Sequence, residues 1–449
     1  MDIIERLVDN VIDTKYEDLP DEAIKATKRN IIDTIAVLVA GSTAPGCETL
    51  VNLVREWGGK EESTVLIHNG KVPALNAALV NSVMARALDF DNGMAGGMHP
   101  SASIVPTALA VAEMCGSIDG REFLTTITLG DDLAARINRA TNPSRFGFDP
   151  TGTSLVFGTA AISGRILGLD REKMLDALGI AFNQAAGNMQ SNIDGTLTVR
   201  LIQGLTSRAG ILSAILAQRG ITGVRNILQG VYGFFHLFAH DKVNLEALTD
   251  GLGEKFEGVT TIYKKYPSCG ATLATTDAAL ELCSEHNIEP GEVAEITVNV
   301  SQWVYHLVGR PFEIRSSPEV DAQFSIPYTV ANALVRRSST IKHFTEEFVR
   351  SPEIIELAEK VHLVVAQMPE YMRMEIKMRD GDCWSKSIKY PRGFPQNPLT
   401  DEEFKEKWED CVAYTPKPLP EGNFEKLAKM VNKMEEVDDV SKMVELLVA

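Results

Sequence analysis

The sequence predicts a mainly helical protein with a smaller α+β portion placed before its last helices. Three observations carry this. Residues 1–260 are dominated by apolar residues at helical spacing, bounded by helix start and stop signals. Near residue 290 the period changes to two, and after residue 395 it returns to the helical one. A chain of 449 residues is also longer than one compact core usually supports, so two or more domains are expected.

Taken in order, "MDIIERLVDNVID" is acidic and amphipathic, with Leu7, Val11 and Ile12 on one face, and does not read as a signal peptide. "DEAIKATKRNIIDTIAVLVAG" opens on an acidic turn and closes at Gly41, which reads as a helix-ending glycine. "PALNAALVNSVMARAL" starts at Pro73 in the first helical position and carries Leu75, Leu79, Val83 and Leu88. The next helix is expected from Pro106, "PTALAVAEMCG". "LVFGTAAISGRILGL" and "LTSRAGILSAILAQRG" are rich in small residues, which lets helix backbones approach closely in a dense interior.

The α+β portion is read over 265–395. In "EITVNV", Ile296, Val298 and Val300 alternate with polar neighbours as in a half-buried strand. In "YMRMEIKM", Met372, Met374, Ile376 and Met378 alternate with Arg373, Glu375 and Lys377, and Asp380–Gly381 supplies hairpin turn chemistry. "DAQFSIPYTVANALV" reads as helix from about Pro327. "DEEFKEKWEDC" and "NFEKLAKMVNKMEEV" are helical again and are expected to rejoin the first part. The expected domains are thus 1–264 with 396–449, and 265–395.

Composition excludes several classes. Net charge is −17 and no Lys/Arg-rich block occurs, which disfavours nucleic acid and anionic membranes as partners. No apolar run approaches the ~20 residues of a membrane span. The six cysteines form no C-x-x-C pair, so a zinc ribbon or clustered iron–sulfur site is not expected; free thiols in a reducing cytoplasm are. Phosphate-binding and dinucleotide-binding glycine motifs, the G-x-S-x-G elbow and H-E-x-x-H are all missing. Acid–base chemistry that requires no cofactor and no metal remains open.

One connection concentrates chemistry. "ALDFDNGMAGGMHPS" places Asp89 and Asp91 two apart, then a loop with Gly93, Gly96 and Gly97, then His99 held by Pro100. An acid just after a helix C-terminus is disfavoured by the helix dipole, which suggests another reason for the aspartates. The glycines allow either a mobile segment that orders over a ligand or a tight turn.

Several stretches together resemble the MmgE/PrpD family: "ARALDFDN", "HPSASIVPTALAVAE", "FDPTGTSLVFGTAAISGRILGL", "YKKYPSCGATLATTDAAL", "DAQFSIPYTVANAL" and "YPRGFPQNPLTDEEFKEKW", in the family's order. Members include 2-methylcitrate dehydratases, cis-aconitate decarboxylases and an iminodisuccinate epimerase. The resemblance implies a large all-helical domain formed by both chain ends, an inserted α+β lid, an active site in the cleft between them, and a cytoplasmic homodimer without metal or cofactor.

It also implies roles. His99 matches the active-site histidine of the H-P-S motif, and Asp89 an active-site aspartate; Asp91 belongs to the same motif. The two acids could orient a substrate hydroxyl or raise the basicity of an imidazole. Lys264 matches the lysine before the Y-P step and would clamp a substrate carboxylate, with Lys265 as the adjacent alternative. Cys269 falls where some members place a histidine and would face the pocket.

Three departures bear on the substrate. Asp149 stands where many members carry a histidine, Val199 where many carry a lysine, and Ile202 where many carry another histidine. Arg200 remains to supply charge. A cleft with fewer cations should prefer a less highly charged acid than 2-methylcitrate or cis-aconitate. The expected activity is a hydro-lyase acting on a small carboxylic acid: a base removes a proton beside a carboxylate, an acid protonates the leaving hydroxyl, and cations hold the developing charge. The alternatives are an isomerase or epimerase, a decarboxylase, and a binding protein that has lost its chemistry.

Overall fold

The computed structural model describes residues 2–366 and 371–449; Met1 and residues 367–370, which fall inside the two expected domain spans, lie outside the described residues. Helices predominate. In chain order the main ones are α1 (Ile4–Asp13), α2 (Asp21–Gly41), α3 (Cys47–Trp57), α4 (Ala74–Arg86), α5 (Ser101–Cys115), α6 (Gly120–Thr141), α7 (Leu155–Ile166), α8 (Arg171–Phe182) and α9 (Thr198–Gln218). They are followed by α10 (Leu273–His286), α11 (Ile326–Arg336), α12 (Asp401–Tyr414) and α13 (Asn423–Asn432). Among the described residues no helix is long and apolar enough to cross a membrane.

The helices near the middle of the first part bury residues on all faces, because α4, α5 and α7 consist almost wholly of small and apolar side chains. α9 packs against α4 and α7. Its close approach depends on glycine: a Cβ on Gly204 would stand 2.3 Å from the Leu79 carbonyl oxygen. The dense crossing expected from the small residues is therefore present.

Two helix limits differ from expectation. Gly41 is the last helical residue and is not left-handed; Ser42 follows in right-handed backbone. Its reason is contact, since a Cβ there would lie 2.1 Å from the Met84 carbonyl oxygen. α5 begins at Ser101, five residues before Pro106, which sits inside the helix. Pro106 removes one backbone hydrogen bond near the N-terminal end and is buried within the helix packing. The consequence is functional: His99 and Pro100 directly precede a helix N-terminus.

The strands β1 (Val293–Val300), β2 (Val361–Val365), β3 (Met372–Met378) and β4 (Cys383–Ile388) form one sheet in the order β2-β1-β3-β4. β1 pairs antiparallel with β3, opposing Ile296 to Ile376 and Val298 to Met374. β3 pairs antiparallel with β4 around Asp380–Gly381, the hairpin expected there. The buried face carries Ile296, Val298, Met374 and Ile376, so the alternation read from the sequence is the one that packs. β2 joins β1 in parallel; "VHLVV" has too little alternation to announce it.

The apolar residues sort into separate cores. One contains Ile35 and Leu38 of α2, Val80 and Met84 of α4, and Phe404, Leu427 and Leu447 from the C-terminal end, so the two chain ends share a core. Another collects Ala278, Ile296, Tyr328, Val361, Met374 and Ile376, together with Val199 from α9.

Candidate active site

The site starts where α4 stops. Arg86 is its last residue, and the chain turns through Asp89, whose φ of 50° is left-handed. Aspartate tolerates that conformation better than most residues, at a cost of about 1 kcal/mol. Beyond the turn, successive side chains go to opposite flanks. Asp89 and Asp91 contact Arg86 on one flank; Phe90 and Asn92 contact Lys407 and Asp33 on the other.

Arg86 Nη1 pairs with Asp89 and lies 3.4 Å from Asp91 Oδ1. Lys264 Nζ donates to the Asp89 main-chain oxygen at 2.8 Å and to Asp89 Oδ1 at 3.0 Å. His99 Nδ1 stands 3.1 Å from Asp91 Oδ2. Asp89, Asp91, Arg86 and Lys264 are all buried, and the last is only 2% exposed. Burial opposes charge on Asp91, yet Arg86, His99 and Lys264 outweigh it and hold the carboxyl well below its ordinary range.

The glycine loop is a tight turn. Met94 and Met98 exchange a bridge across it, and Gly96 and Gly97 both have φ of 83°. Gly93 is not left-handed; its N–H donates to the Ile262 carbonyl at 3.0 Å, and its own carbonyl accepts from Ile262 at 2.8 Å. That bridge ties the loop to the strand-like segment that delivers Lys264 two residues later. A Cβ on Gly93 would stand 3.6 Å from the His99 ring and 3.3 Å from the Met98 carbonyl oxygen.

These groups border a cavity of about 310 Å³ lined by Arg86, His99, Lys264 and Cys269 at its polar end. Cys269 is buried, and burial, with Asp89 adding to it, pushes its thiol up to about 11. It is a thiol, not a thiolate, at neutral pH. Asp149 caps the short helix Pro150–Thr153, accepting from Thr151 N–H at 2.8 Å. Burial raises its carboxyl above the ordinary value, against the pull of Thr151, His99 and Arg86. Asp149 and Ile202 both pack against Gly187, so the Ile202 side chain supplies apolar surroundings close to this acid.

Two sequence-singled residues lie elsewhere. Arg200 is 2% exposed and donates to the Pro45 carbonyl at 3.1 Å. It lines a separate small cavity with Glu319 and Tyr414 and is not brought to the His99 cavity, because α9 carries it toward the loop after α2. Lys265 turns away from Lys264 and pairs with Glu403 of α12 at 3.0 Å. Val199, where the family resemblance implies a lysine in many members, is absorbed into the apolar core around β1.

Arg86 was not singled out by sequence reasoning, although it stands inside "ARALDFDN". The signal is its spacing: a helix-terminal arginine with acids three and five residues on can reach both. Lys407 and Asp33 were likewise missed, being 317 and 57 residues away from Phe90; nothing local announces them. Among the described residues no group of three or more His, Cys, Asp and Glu side chains is placed to hold a metal ion.

The MmgE/PrpD N-terminal domain matches residues 5–246 and the MmgE/PrpD C-terminal domain matches residues 266–433. The chain belongs to the MmgE/PrpD family. It is 26% identical to the cis-aconitate decarboxylase of Homo sapiens over 451 residues, covering 96% of this chain and 92% of that protein. It is 25% identical to the cis-aconitate decarboxylase of Aspergillus terreus over 463 residues, covering 96% and 93%. A cis-aconitate decarboxylase-like protein of Aspergillus oryzae is 24% identical over 470 residues, covering 97% and 95%.

Proposed function

We propose that this protein is a lyase that works without a cofactor, most simply a hydro-lyase, on a small carboxylic acid. The observation that carries the reading is that His99, Arg86 and Lys264 line one cavity while Asp91 and Asp89 pair with them from behind. Asp91, held ionised, favours the His99 tautomer with its proton on Nδ1 and leaves Nε2 to take a proton from carbon beside the substrate carboxylate. Lys264 and Arg86 receive the carboxylate and the enolate-like charge that grows on it. The His99 imidazolium so formed can pass its proton to the departing hydroxyl, and Asp149, within electrostatic reach of His99 and Arg86, is assigned to substrate binding. Cys269 shapes the pocket wall. Arg200 takes no part in this scheme.

The helical unit formed by 1–264 and 396–449 would supply the histidine and aspartates, and 265–395 would act as the lid. A cytoplasmic homodimer is the expected form. The chain's likeness to cis-aconitate decarboxylases favours decarboxylation as a second reading; the same imidazole would then protonate the carbon from which carbon dioxide leaves. An epimerase would return the proton to the carbon it came from.

Proton NMR in D2O, paired with a carbon dioxide assay, separates the three on a panel of hydroxy and unsaturated acids. A new alkene signal without carbon dioxide supports the hydro-lyase, release of carbon dioxide the decarboxylase, and deuterium uptake without either the epimerase. Unchanged turnover in His99→Ala would remove the central role given to that residue.

A further inference from the structure

The charge at the polar end of the His99 cavity is already matched. Two carboxylates, Asp89 and Asp91, face two permanent cations, Arg86 and Lys264. Two of the three Lys264 N–H groups are taken by Asp89, and Arg86 engages the aspartates through Nη1 alone. What remains is a pair of directed donors suited to a single carboxylate. A second or third carboxylate would find no further cation, because among the described residues Arg86, Lys264 and His99 are the only basic side chains lining this cavity. Arg200, which might have supplied one, lies in another cavity.

The rest of the wall is of another kind. Met98 and Ile262 come from the helical part, Leu307 and Phe324 from the α+β part, and Phe394 from the segment leading to α12. Trp303 stands at the rim, 43% exposed, where its indole continues the apolar wall toward solvent. A cavity of about 310 Å³ is larger than one carboxylate and the carbon beside it need.

We infer that the substrate is a monocarboxylic acid with an extended apolar arm, its head seated between Lys264 and Arg86 and its arm against Phe324, Leu307 and Trp303. This deepens the reading of the cavity as a proton-transfer site and rests on it. Burial of a second carboxylate against that wall would leave a desolvated charge without a partner, which is strongly unfavourable.

Calorimetric titration of the full-length protein with acetate, butanoate, hexanoate, adipate and citrate tests this. Affinity should rise from acetate to hexanoate by up to about fourfold per methylene. Adipate, equal to hexanoate in carbon number but carrying a second carboxylate, should bind at least tenfold more weakly, and citrate more weakly still. Trp303→Ala should weaken hexanoate severalfold and leave acetate unchanged. Adipate or citrate binding as tightly as hexanoate overturns the inference, as does an affinity that ignores chain length. Hexanoate binding that is unmoved in Trp303→Ala overturns the placement of the arm. Because the panel reads affinity and not turnover, a preference for diacids would leave the proton-transfer reading standing. That reading falls separately, on the turnover of His99→Ala.

Discussion

Two buried lysines flank the same four residues, Asp89–Asn92, and they are in different situations. Lys407 comes from α12, donates to the Phe90 carbonyl at 2.9 Å, pairs with Asp33 at 2.6 Å and lies 4.3 Å from the Phe90 ring centre. Its charge has one carboxylate to answer it, and no imidazole joins the group. Lys264, on the opposite flank, shares Asp89 with Arg86, and a second aspartate with a histidine completes the cluster. Asp89 Oδ2 and Asp91 Oδ2 are buried there without a well-aligned hydrogen bond, as is Asp33 Oδ1 on the Lys407 flank, so the contrast lies in the imidazole and the cavity it lines. One flank is a pin; the other sets two carboxylates and two fixed cations beside a titratable ring and an open cavity. A buried pair without an imidazole serves position, whereas a charged cluster that adds an imidazole at a cavity wall has the parts that proton transfer requires.

The sharpest way to break this contrast is to remove the imidazole. His99→Gln should lower kcat by about 10²–10⁴-fold, the usual worth of general acid–base catalysis, while the melting temperature stays within about 2 °C of the parent. A comparable fall in stability would mean that His99 is part of the pin.

The two lysines can then be set against each other. Lys407→Met leaves Asp33 buried and unanswered and should cost about 3–5 kcal/mol in denaturant unfolding. Activity per folded molecule should fall little. Lys264→Met should cost both stability and most of the turnover. Equal ratios of activity loss to stability loss in the two variants would erase the distinction.

A third test lies behind the pin. Asp131 accepts from Asn30, whose carbonyl oxygen in turn accepts from Tyr263 at 2.6 Å. Burial pushes the Asp131 carboxyl up to about 7 from 3.8. A raised folded-state value means the acid stabilises the fold fully below its unfolded value near 4 and loses that contribution as pH rises toward 7. Asp131→Asn should therefore match the parent near pH 4 and exceed it by about 2–4 kcal/mol at pH 8. Thermal unfolding measured across that range checks it; a constant difference at all pH values would assign the effect to packing.

The sequence showed the His99 flank far more readily than the Lys407 one, for a physical reason. Asp89, Asp91 and His99 fall within eleven residues, so local chemistry exposes them, and Lys264 came with the family resemblance. Lys407 and Asp33 reach the same segment only after the two chain ends have packed together, and no short window contains that event. The hairpin Met372–Ile388 was legible because period two and a turn coincide in one stretch. The parallel strand Val361–Val365 was not, since its partner lies more than sixty residues upstream. Arg200 misled for the converse reason: its charge is visible in the text, but its direction depends on the crossing of α9 over α4. Gly41 misled differently, because a glycine needed for helix contact looks the same in sequence as one needed for a left-handed cap.

Gly93 offers the finest division between the flanks. It belongs to the loop that the Ile262 bridge fixes, yet its missing Cβ faces the His99 ring at 3.6 Å and the Met98 carbonyl at 3.3 Å. Gly93→Ala asks the Met98 carbonyl to give by a few tenths of an ångström and brings the new methyl into ordinary contact with the His99 ring. The backbone demand should cost under about 1 kcal/mol, toward the low end for added core volume. A shift of Met98 passed on to the adjoining His99 should appear in kcat, as a three- to tenfold fall with little change in KM, because small displacements of a proton-transfer group weaken catalysis before they weaken binding. Steady-state kinetics with a turned-over acid, paired with a melting curve, resolves the two. A drop in stability with unaltered kcat would place the whole effect on the Met98 carbonyl and show that the imidazole has slack to move, contrary to a ring held in register by Asp91.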